Sequence, residues 1–590
     1  MATYNAPLKD MRFVLDELLQ LEQFADLPGF AEAPPDVVAA ILEEAGRLAS
    51  EVLMPLNAVG DHHGCTLVEG EVTTAPGFRQ AYRLYAQGGW TGLTASPEFG
   101  GQGLSHLLGI AVREIMTSAN LAFSMFAGLT HGAVNAIANG GTDTQKALFM
   151  PPMIEGRWTG TMNLTEPHCG TDLGLLRTRA EPQADGSYRI SGTKIFISAG
   201  EHDLAENIIH LVLARLPDAP PGVKGISLFI VPKFLVNADG SLGERNAVRC
   251  GSLEEKMGIH GNPTCVMNYD GATGYLIGQP HQGLRVMFVM MNGARLAVGV
   301  QGLSLASVAY QNAADYARER LQGRAPGSAM TPAQPADPIV KHPDVQRMLL
   351  TQRAFVEGGR ALTYWAGLQV DLAHKHPDPD TREAASDLLG LLTPMIKAYC
   401  TDKGVECTGL AMQCFGGHGY IREWGMEQFQ RDARITPLYE GTNGVQAMDL
   451  AARKLRLDEG RAMRRFLKLV DQFCDAHDDE LMEAGALRQA LADLVMAVEY
   501  MGSADAHAIA AGAVDFLHLT ALVAFALQWA KMAVIARHHL AQGSVDSDFY
   551  HAKLTTARFF FERILPQTSL HRQRIDSGAA TFKAFDPEQF

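Results

Sequence analysis

The chain has 590 residues, 47% hydrophobic and 19% charged, which is ordinary for a globular protein and too long for one core, so roughly two to four domains are expected. A net charge of −15, with no tract of five or more basic residues, argues against nucleic acid or an anionic membrane surface as the main partner. Met1 to Phe13 already mixes Lys9, Asp10 and Arg12 with apolar residues, so it lacks a secretory core, and no uninterrupted apolar span of membrane length is read later. The cytoplasm is the expected compartment.

Eight cysteines without a Cys-x-x-Cys pair fit a reduced compartment and no zinc or iron-sulfur site; no metal is expected. Cys400, Cys407 and Cys414 recur every seven residues, which places them on one helical face as small buried hydrophobes. His62, His63 and Cys65 read as a polar loop.

In chain order, Pro7 within Tyr4 to Met11 prepares a helix start. From Asp10 to Glu155 the apolar spacing is helical, clearest in Met11 to Leu19 and Val37 to Met54, with a glycine-rich loop at Gly88 to Gly103. Near Gly160 the texture changes to short runs rich in Ile, Val and Phe. Tyr188 to Ile190, Lys194 to Ser198, Ile208 to Leu213 and Gly225 to Val231 predict an antiparallel sheet ending about Leu276.

Long helical periodicity returns over Leu284 to Leu321, Asp344 to His374 and Ala384 to Gln413, lengths that suit a helix bundle. Ala325 to Pro338, rich in Pro, Ala and Gly, is read as a solvated connection. A further helical block runs from Leu457 to about Arg574, resembling a separate addition, and Asp576 to Phe590 is read as a polar tail. The expectation is an α+β fold: an N-terminal helical domain over 1–158, a central antiparallel β domain over 159–280, a C-terminal four-helix bundle over 281–456, and an extra C-terminal helical domain over 457–590.

Three stretches carry chemistry. Arg431 to Asn443 sets Glu440 on a Gly-flanked turn before a helix expected over Val445 to Leu455, with Thr442 and Asn443 as caps. Such a turn aims a carboxylate into a cleft. Met162 to Asp172, followed by the strand from Gly192, supplies hydroxyls from Thr165, Thr171 and Ser198, and Gly170 permits close backbone approach, a set able to hold an extended polar cofactor. Gln413 to Tyr420 ends a helix in clustered glycines.

The ordered company of Thr-Glu-Pro…Gly-Thr-Asp, Lys-Ile-Phe-Ile-Ser, Gln-x-x-Gly-Gly-x-Gly, Arg-Asp-Ala-Arg and Tyr-Glu-Gly-Thr resembles the acyl-CoA dehydrogenase family over roughly residues 35 to 455. The opening Tyr4 to Met11 and the block after Leu457 resemble its long bacterial members. The resemblance implies an FAD-dependent enzyme that forms a trans-2-enoyl-CoA from an acyl-CoA. Glu440 is then the catalytic base, and its backbone N–H and an FAD ribityl hydroxyl polarise the thioester oxygen. Met162, Leu164, Thr165, Gly170, Thr171, Phe196 and Ser198 match positions lining FAD; Thr442 and Gly444 follow the base onto it.

Arg320 matches a diphosphate contact, and Gln413, Gly416 and Gly417 match a segment reaching the FAD of a neighbouring subunit, implying a homodimer. Thr171, Arg295, Tyr439 and Gly441 are expected beside the acyl-CoA. The family often has Trp at the Phe196 position and Phe-Gly where this chain has Gly323-Arg324. An electron-transfer flavoprotein is the implied electron acceptor. Methylthiopropionyl-CoA and short to long fatty acyl-CoAs all stay open as substrates. An acyl-CoA oxidase, or a non-catalytic DNA-binding flavoprotein of the same fold, are the rival readings; the acidic charge and intact Glu440 weigh against the last.

Overall fold

The computed structural model describes residues 2–327, 335–477 and 482–589. The middle of the expected Ala325 to Pro338 connection lies outside the described residues. Two compact units result: Met1–Glu44, Ser105–Ser118 and Val298–Phe590 form one, and Ala45–Leu104 with Ala119–Ala297 form the other.

The second unit is built on strands. A small hairpin, β1 (Thr66–Val68) and β2 (Glu71–Thr73), precedes the main sheet. The main strands are β3 (Trp158–Asn163), β4 (Arg179–Pro182), β5 (Tyr188–Ser198), β6 (Asn207–Arg215), β7 (Ile226–Pro232), β10 (Val248–Leu253) and β11 (Thr264–Ile277). Between β7 and β10 lies a second hairpin, β8 (Phe234–Val236) and β9 (Leu242–Arg245). Strand order in the sheet is β10-β11-β5-β4-β6-β3, and β7 pairs with both β11 and β6, closing the path on itself.

Strands β6 and β7 are continuous apolar runs because both faces are covered. Ile209, Leu211 and Leu213 of β6, with Ile226, Leu228 and Ile230 of β7, enter one core beside Trp158 and Met153; Val212, Ala214, Phe229 and Val231 enter another beside Ile190 and Tyr269. Period-two alternation thus splits one run between two cores. Each buried Ile, Leu, Val or Phe among them contributes about 1.5–3 kcal/mol. Most pairings are antiparallel as expected, but β3 runs parallel to β6, Trp158 opposite Asn207 through Asn163 opposite Val212. Strand direction is set by the connection, here the β4–β5 hairpin between the two strands, and side-chain composition does not encode it.

The first unit is helical. The helix Gly283–Glu319, from Val298 onward, packs tightly on the helix Pro379–Phe415: a Cβ on Gly299 would lie 2.8 Å from the Ile396 carbonyl oxygen, and one on Gly302 would lie 2.3 Å from that of Cys400. Only glycine permits that approach. Asp378 caps Pro379–Phe415 by accepting from Thr381 N at 3.0 Å, and Gly416 (φ 58) ends it. Cys400, Cys407 and Cys414 are buried along it, as their spacing predicts, and burial raises all three thiols, Cys414 to about 11.

The N-terminal segment is anchored in this unit. Tyr4 and Met11 are buried, and Asp10 pairs with both Arg360 and Lys553; Arg360 also pairs with Glu114, and Lys553 with Glu357 at 2.7 Å. The block after Leu457 packs on the same bundle: Trp529 of the Ala506–Ala541 helix donates to the Ala354 carbonyl at 3.1 Å, and Phe525 stacks on Phe355. The stretch read as a tail contains the helix Ala580–Ala584, with Lys583 3.1 Å from Asp505.

Two sequence expectations need correction. His62 and His63 lie in the last turn of the helix Met54–His63, where the helix dipole favours basic groups, so only Cys65 follows in the connection. Apolar stretches of membrane length do occur: Leu121–Gly140, Gly283–Glu319 and Ala506–Ala541 are long and apolar enough by length and composition. Of their most apolar windows, 56%, 44% and 67% is buried inside the protein, which explains why these helices are apolar on most sides.

Candidate active site

The candidate residues divide between the two units. In the strand-built unit, Met162 and Leu164 leave the end of β3 half-buried, Thr165 follows half-buried, and Gly170 and Thr171 are exposed on the loop beyond. A buried ion pair fixes this loop against β5. Glu166 accepts from Arg177 N (2.7 Å), Thr178 N (3.0 Å), Thr178 Oγ1 (2.6 Å) and Lys194 Nζ (2.8 Å), and Lys194 also donates to the Leu164 carbonyl at 2.9 Å. Burial alone would raise the Glu166 carboxyl, but the Lys194 ammonium and the Thr178 donors outweigh it and hold it below the usual range. Burial lowers the Lys194 ammonium, with Glu166 opposing. Glu166, His168 and Cys169 cluster closely enough to suggest metal ligands, yet both Glu166 oxygens already serve the clamp.

Phe196 is placed by a bulge. On β11 Cys265 opposes Ile197 and Met267 opposes Lys194, so β5 carries one residue more than its partner over that interval. Phe196 takes φ 58, and its side chain is 60% exposed although Lys194, two residues earlier, is fully buried. A bulge re-aims a side chain in this way, and left-handed backbone at a non-glycine residue is maintained only where surroundings enforce it. The result is an exposed aromatic ring beside the half-buried Ser198 at the end of β5. Among the described residues this set fits a flat aromatic group with a polar extension.

Under β3 lies a buried polar row. Asn163 donates to Thr161 Oγ1 at 2.7 Å and accepts from Tyr269 at 2.9 Å; Thr161 Oγ1 is 2.9 Å from His210 Nδ1, and Thr159 Oγ1 is 2.9 Å from His202 Nε2. Burial and then the Lys233 charge push both imidazoles down to about 3, so both rings are neutral.

In the helical unit, Glu440 also takes φ 58 and Gly441 takes φ 84, so the turn holds consecutive left-handed residues. Thr442 caps the following helix, Asn443–Met448, accepting from Val445 N at 3.4 Å, and helical structure continues to Lys454. Asn443, expected as a second cap, does something else. Its backbone N donates to the Pro437 carbonyl at 3.0 Å, and its side-chain amide reaches the Pro379–Phe415 helix, donating to the Ala398 carbonyl (3.0 Å), Thr401 Oγ1 (3.0 Å) and Asp402 Oδ1 (2.7 Å) while accepting from Lys397 Nζ (2.8 Å). Gln446 Nε2 donates to the Glu440 and Gly441 carbonyls at 3.4 and 3.3 Å. Tyr439 donates its hydroxyl to Gln301, and burial and then the Glu440 charge raise its phenol.

Family models match in chain order: the N-terminal domain of acyl-CoA dehydrogenase over residues 39–157, its middle domain over 161–272, its C-terminal domain over 281–455, and an acetyl-CoA dehydrogenase C-terminal-like domain over 466–586. The chain is 44% identical to the 3-methylmercaptopropionyl-CoA dehydrogenase of Ruegeria pomeroyi over 99% of this chain and 100% of that protein. It belongs to the acyl-CoA dehydrogenase family. The fold agrees with solved structures: Caenorhabditis elegans ACDH-11 in complex with C11-CoA superposes with TM-score 0.77 at 22% identity, covering 96% of this chain and 92% of that one. An acyl-CoA dehydrogenase from Bacillus anthracis complexed with FAD gives TM-score 0.73 at 19% identity over 95% and 90%.

The remaining positions expected from this acyl-CoA dehydrogenase family are more dispersed. Arg295 is buried on its helix with its guanidinium 5.9 Å from the Phe288 ring, unlike an ordinary surface arginine. Arg320 is exposed just past the helix Gly283–Glu319, and its carbonyl accepts from Ile339 N at 2.8 Å. Where the family has Phe-Gly, the Gly323 (φ 66) carbonyl accepts from Asp337 N at 2.9 Å, Arg324 Nη1 lies 3.6 Å from Asp337 Oδ1, and the Asp337 carboxylate accepts from Ala325 N at 3.0 Å. Gln413, Gly416 and Gly417 are all exposed, beside Tyr420 at 81% exposure. Gly444 is likewise exposed.

Sequence reading missed the Glu166–Lys194 clamp and the anchoring role of Asn443. A signal for the first was present, since Lys194 opens the apolar run Ile195 to Ile197 and a lysine needs an acceptor when buried.

Proposed function

We propose that this acyl-CoA dehydrogenase is FAD-dependent and converts an acyl-CoA thioester to the trans-2-enoyl-CoA, with Glu440 removing the α-proton. The observation that carries this reading is Glu440 held at φ 58 on a turn fastened by Asn443 and Gln446. An α-hydrogen next to a thioester is weakly acidic, so the base must be held in place rather than left on a mobile loop. The proton goes to the Glu440 carboxylate, and the Glu440 backbone N–H polarises the thioester oxygen as negative charge develops there.

When bound, FAD supplies the acceptor for the β-hydrogen that leaves with its electron pair. Phe196 would pack on the flat ring, with Met162, Leu164, Thr165, Gly170, Thr171, Ser198, Thr442 and Gly444 around the cofactor and Arg320 toward its diphosphate. The exposed Phe196 and the FAD complex of the Bacillus anthracis relative support that assignment. Thr171, Arg295, Tyr439 and Gly441 would meet the acyl-CoA. A homodimer is proposed through the exposed Gln413, Gly416 and Gly417, an electron-transfer flavoprotein as acceptor, and the cytoplasm as compartment, in keeping with eight free cysteines. For the substrate we favour 3-methylmercaptopropionyl-CoA, on the 44% identity to the Ruegeria pomeroyi enzyme.

The test is Glu440→Gln. The purified variant keeps the visible spectrum of bound flavin while bleaching by acyl-CoA slows by at least about a hundredfold, within the range for loss of a positioned base. Undiminished bleaching overturns the assignment. Rates across a ladder of acyl-CoAs, methylthiopropionyl-CoA included, settle the chain length, and peroxide formed without an acceptor protein identifies an oxidase instead.

A further inference from the structure

We propose that His518, on the Ala506–Ala541 helix of the C-terminal block, is a positioning residue for Glu440 that acts through Asp402 and Asn443. The inference rests on reading Glu440 as the base. His518 Nε2 lies 3.0 Å from Asp402 Oδ2, and the other oxygen of the same carboxylate, Oδ1, accepts from Asn443 Nδ2 at 2.7 Å. Asn443 in turn closes the Glu440 turn through its backbone N–H to the Pro437 carbonyl. One hydrogen-bonded line therefore runs from the C-terminal block to the residue three positions from the base.

Each member of the line has its orientation set. The His518 ring is edge-on to Tyr399 and to His571, both at 5.4 Å between centroids, and His571 Nδ1 is 2.7 Å from Asp515 Oδ1, which also faces Arg574 at 3.5 Å. Asp402 is 35% exposed. Without the imidazole donor, water competes for its carboxylate, and a rotated Asp402 releases the Asn443 amide. Lys397 and Thr401 also hold the amide oxygen, from the same helix as Asp402, whereas His518 reaches Asp402 from the Ala506–Ala541 helix.

The backbone at Glu440 makes this anchoring matter. A glutamate at φ 58 returns to the right-handed or extended region if its surroundings loosen, and that carries the carboxylate away from its aim. A displacement of about 1 Å costs a positioned group up to about a hundredfold in rate. The C-terminal block thereby acts on the chemistry without touching the reacting atoms.

The holoprotein is compared with His518→Ala, His518→Gln, Asp402→Asn and the Ala/Asn double variant. The probe is a 3-thiaacyl-CoA, in which sulfur replaces the β-carbon: it keeps acidic α-protons and has no β-hydride to lose, so deuterium uptake at Cα from D2O reads the base alone. Uptake and kcat are expected to fall about tenfold in His518→Ala with KM little changed, and to return to within about twofold of the parent in His518→Gln, whose amide still donates to Asp402. Asp402→Asn leaves one acceptor oxygen for two donors, so either the imidazole or the Asn443 amide meets an N–H, and is expected to show the same loss, with the double variant no worse than either single change.

Parent rates in a folded His518→Ala, additive losses in the double variant, or a lowered melting temperature with parent rates each overturn the proposal. If His518→Ala does not fold, Asp402→Asn against His518→Gln carries the same comparison. Glu440→Gln, run alongside, separates the two readings: persisting uptake there removes the base assignment itself, whereas abolished uptake with parent rates in His518→Ala removes only the role of His518.

Discussion

The buried histidines beneath β3 make acid sensitivity calculable. His202 Nδ1 accepts from Leu204 N at 3.1 Å, so its proton is on Nε2, facing Thr159. Thr161 Oγ1 accepts from Asn163 Nδ2 at 2.7 Å and lies 2.9 Å from His210 Nδ1. Charging His202 turns its Nδ1 acceptor into a donor against the Leu204 N–H, and charging either ring places a cation in a buried site. The folded values lie near 3 against 6.5 for the free side chain. Because these values are depressed, the stabilisation is fully present above pH 6.5 and is lost as pH falls toward 3. From pH 7 to pH 5 the loss is about 2 kcal/mol per ring, about 4 kcal/mol for both, as an upper value for rigid surroundings.

The two units need not unfold together, so a local assay suits better than a single melting curve. Hydrogen–deuterium exchange of peptides covering β3 and β6, corrected for the intrinsic pH dependence, is expected to lose protection by about thirtyfold per ring between pH 7 and pH 5. His210→Gln keeps an acceptor for Thr161 without a titrating group, and should lose only about half as much on a logarithmic scale. Equal corrected protection at the two pH values, or an unchanged loss in His210→Gln, refutes the reasoning. The strand concerned carries Met162 and leads to Leu164 and Thr165, so the same acidification should release FAD from the holoprotein.

Other consequences follow from buried charge. Lys194→Met leaves Glu166 buried without its cation and is expected to destabilise the strand-built unit by about 3–5 kcal/mol, seen in chemical denaturation, with Glu166→Gln in the same chain recovering much of the loss. Asp10→Asn, facing Arg360 and Lys553, should cost a comparable amount, about 3–5 kcal/mol, and limited proteolysis should then cut within the first helix. The Asp10 carboxyl is held below its ordinary value: burial raises it, and Lys553 and Arg360 outweigh burial. Its stabilisation is therefore present above the ordinary Asp range and lost as pH falls through the lowered folded value, which a pH series of the same proteolysis measures.

Local pattern and order were legible in the amino-acid sequence. Helical periodicity over Leu284 to Leu321 corresponds to the helix Gly283–Glu319, and the apolar runs at Ile208 and Ile226 became β6 and β7, because period and burial are properties of neighbouring residues. The ordered motifs placed the chain in its family for a related reason, since each motif is a contiguous segment. Tertiary structure decided what depends on residues far apart. The Lys194–Glu166 clamp joins positions 28 residues apart, the Asn443–Asp402 bond 41, and the His518–Asp402 contact 116. It also decided the outward turn of Phe196, which requires one extra residue on β5 relative to β11, and the parallel course of β3 beside β6. The chain specifies these contacts only by folding: an amide or carboxylate can satisfy many partners, and the packing of helices and strands selects which one comes within hydrogen-bonding distance.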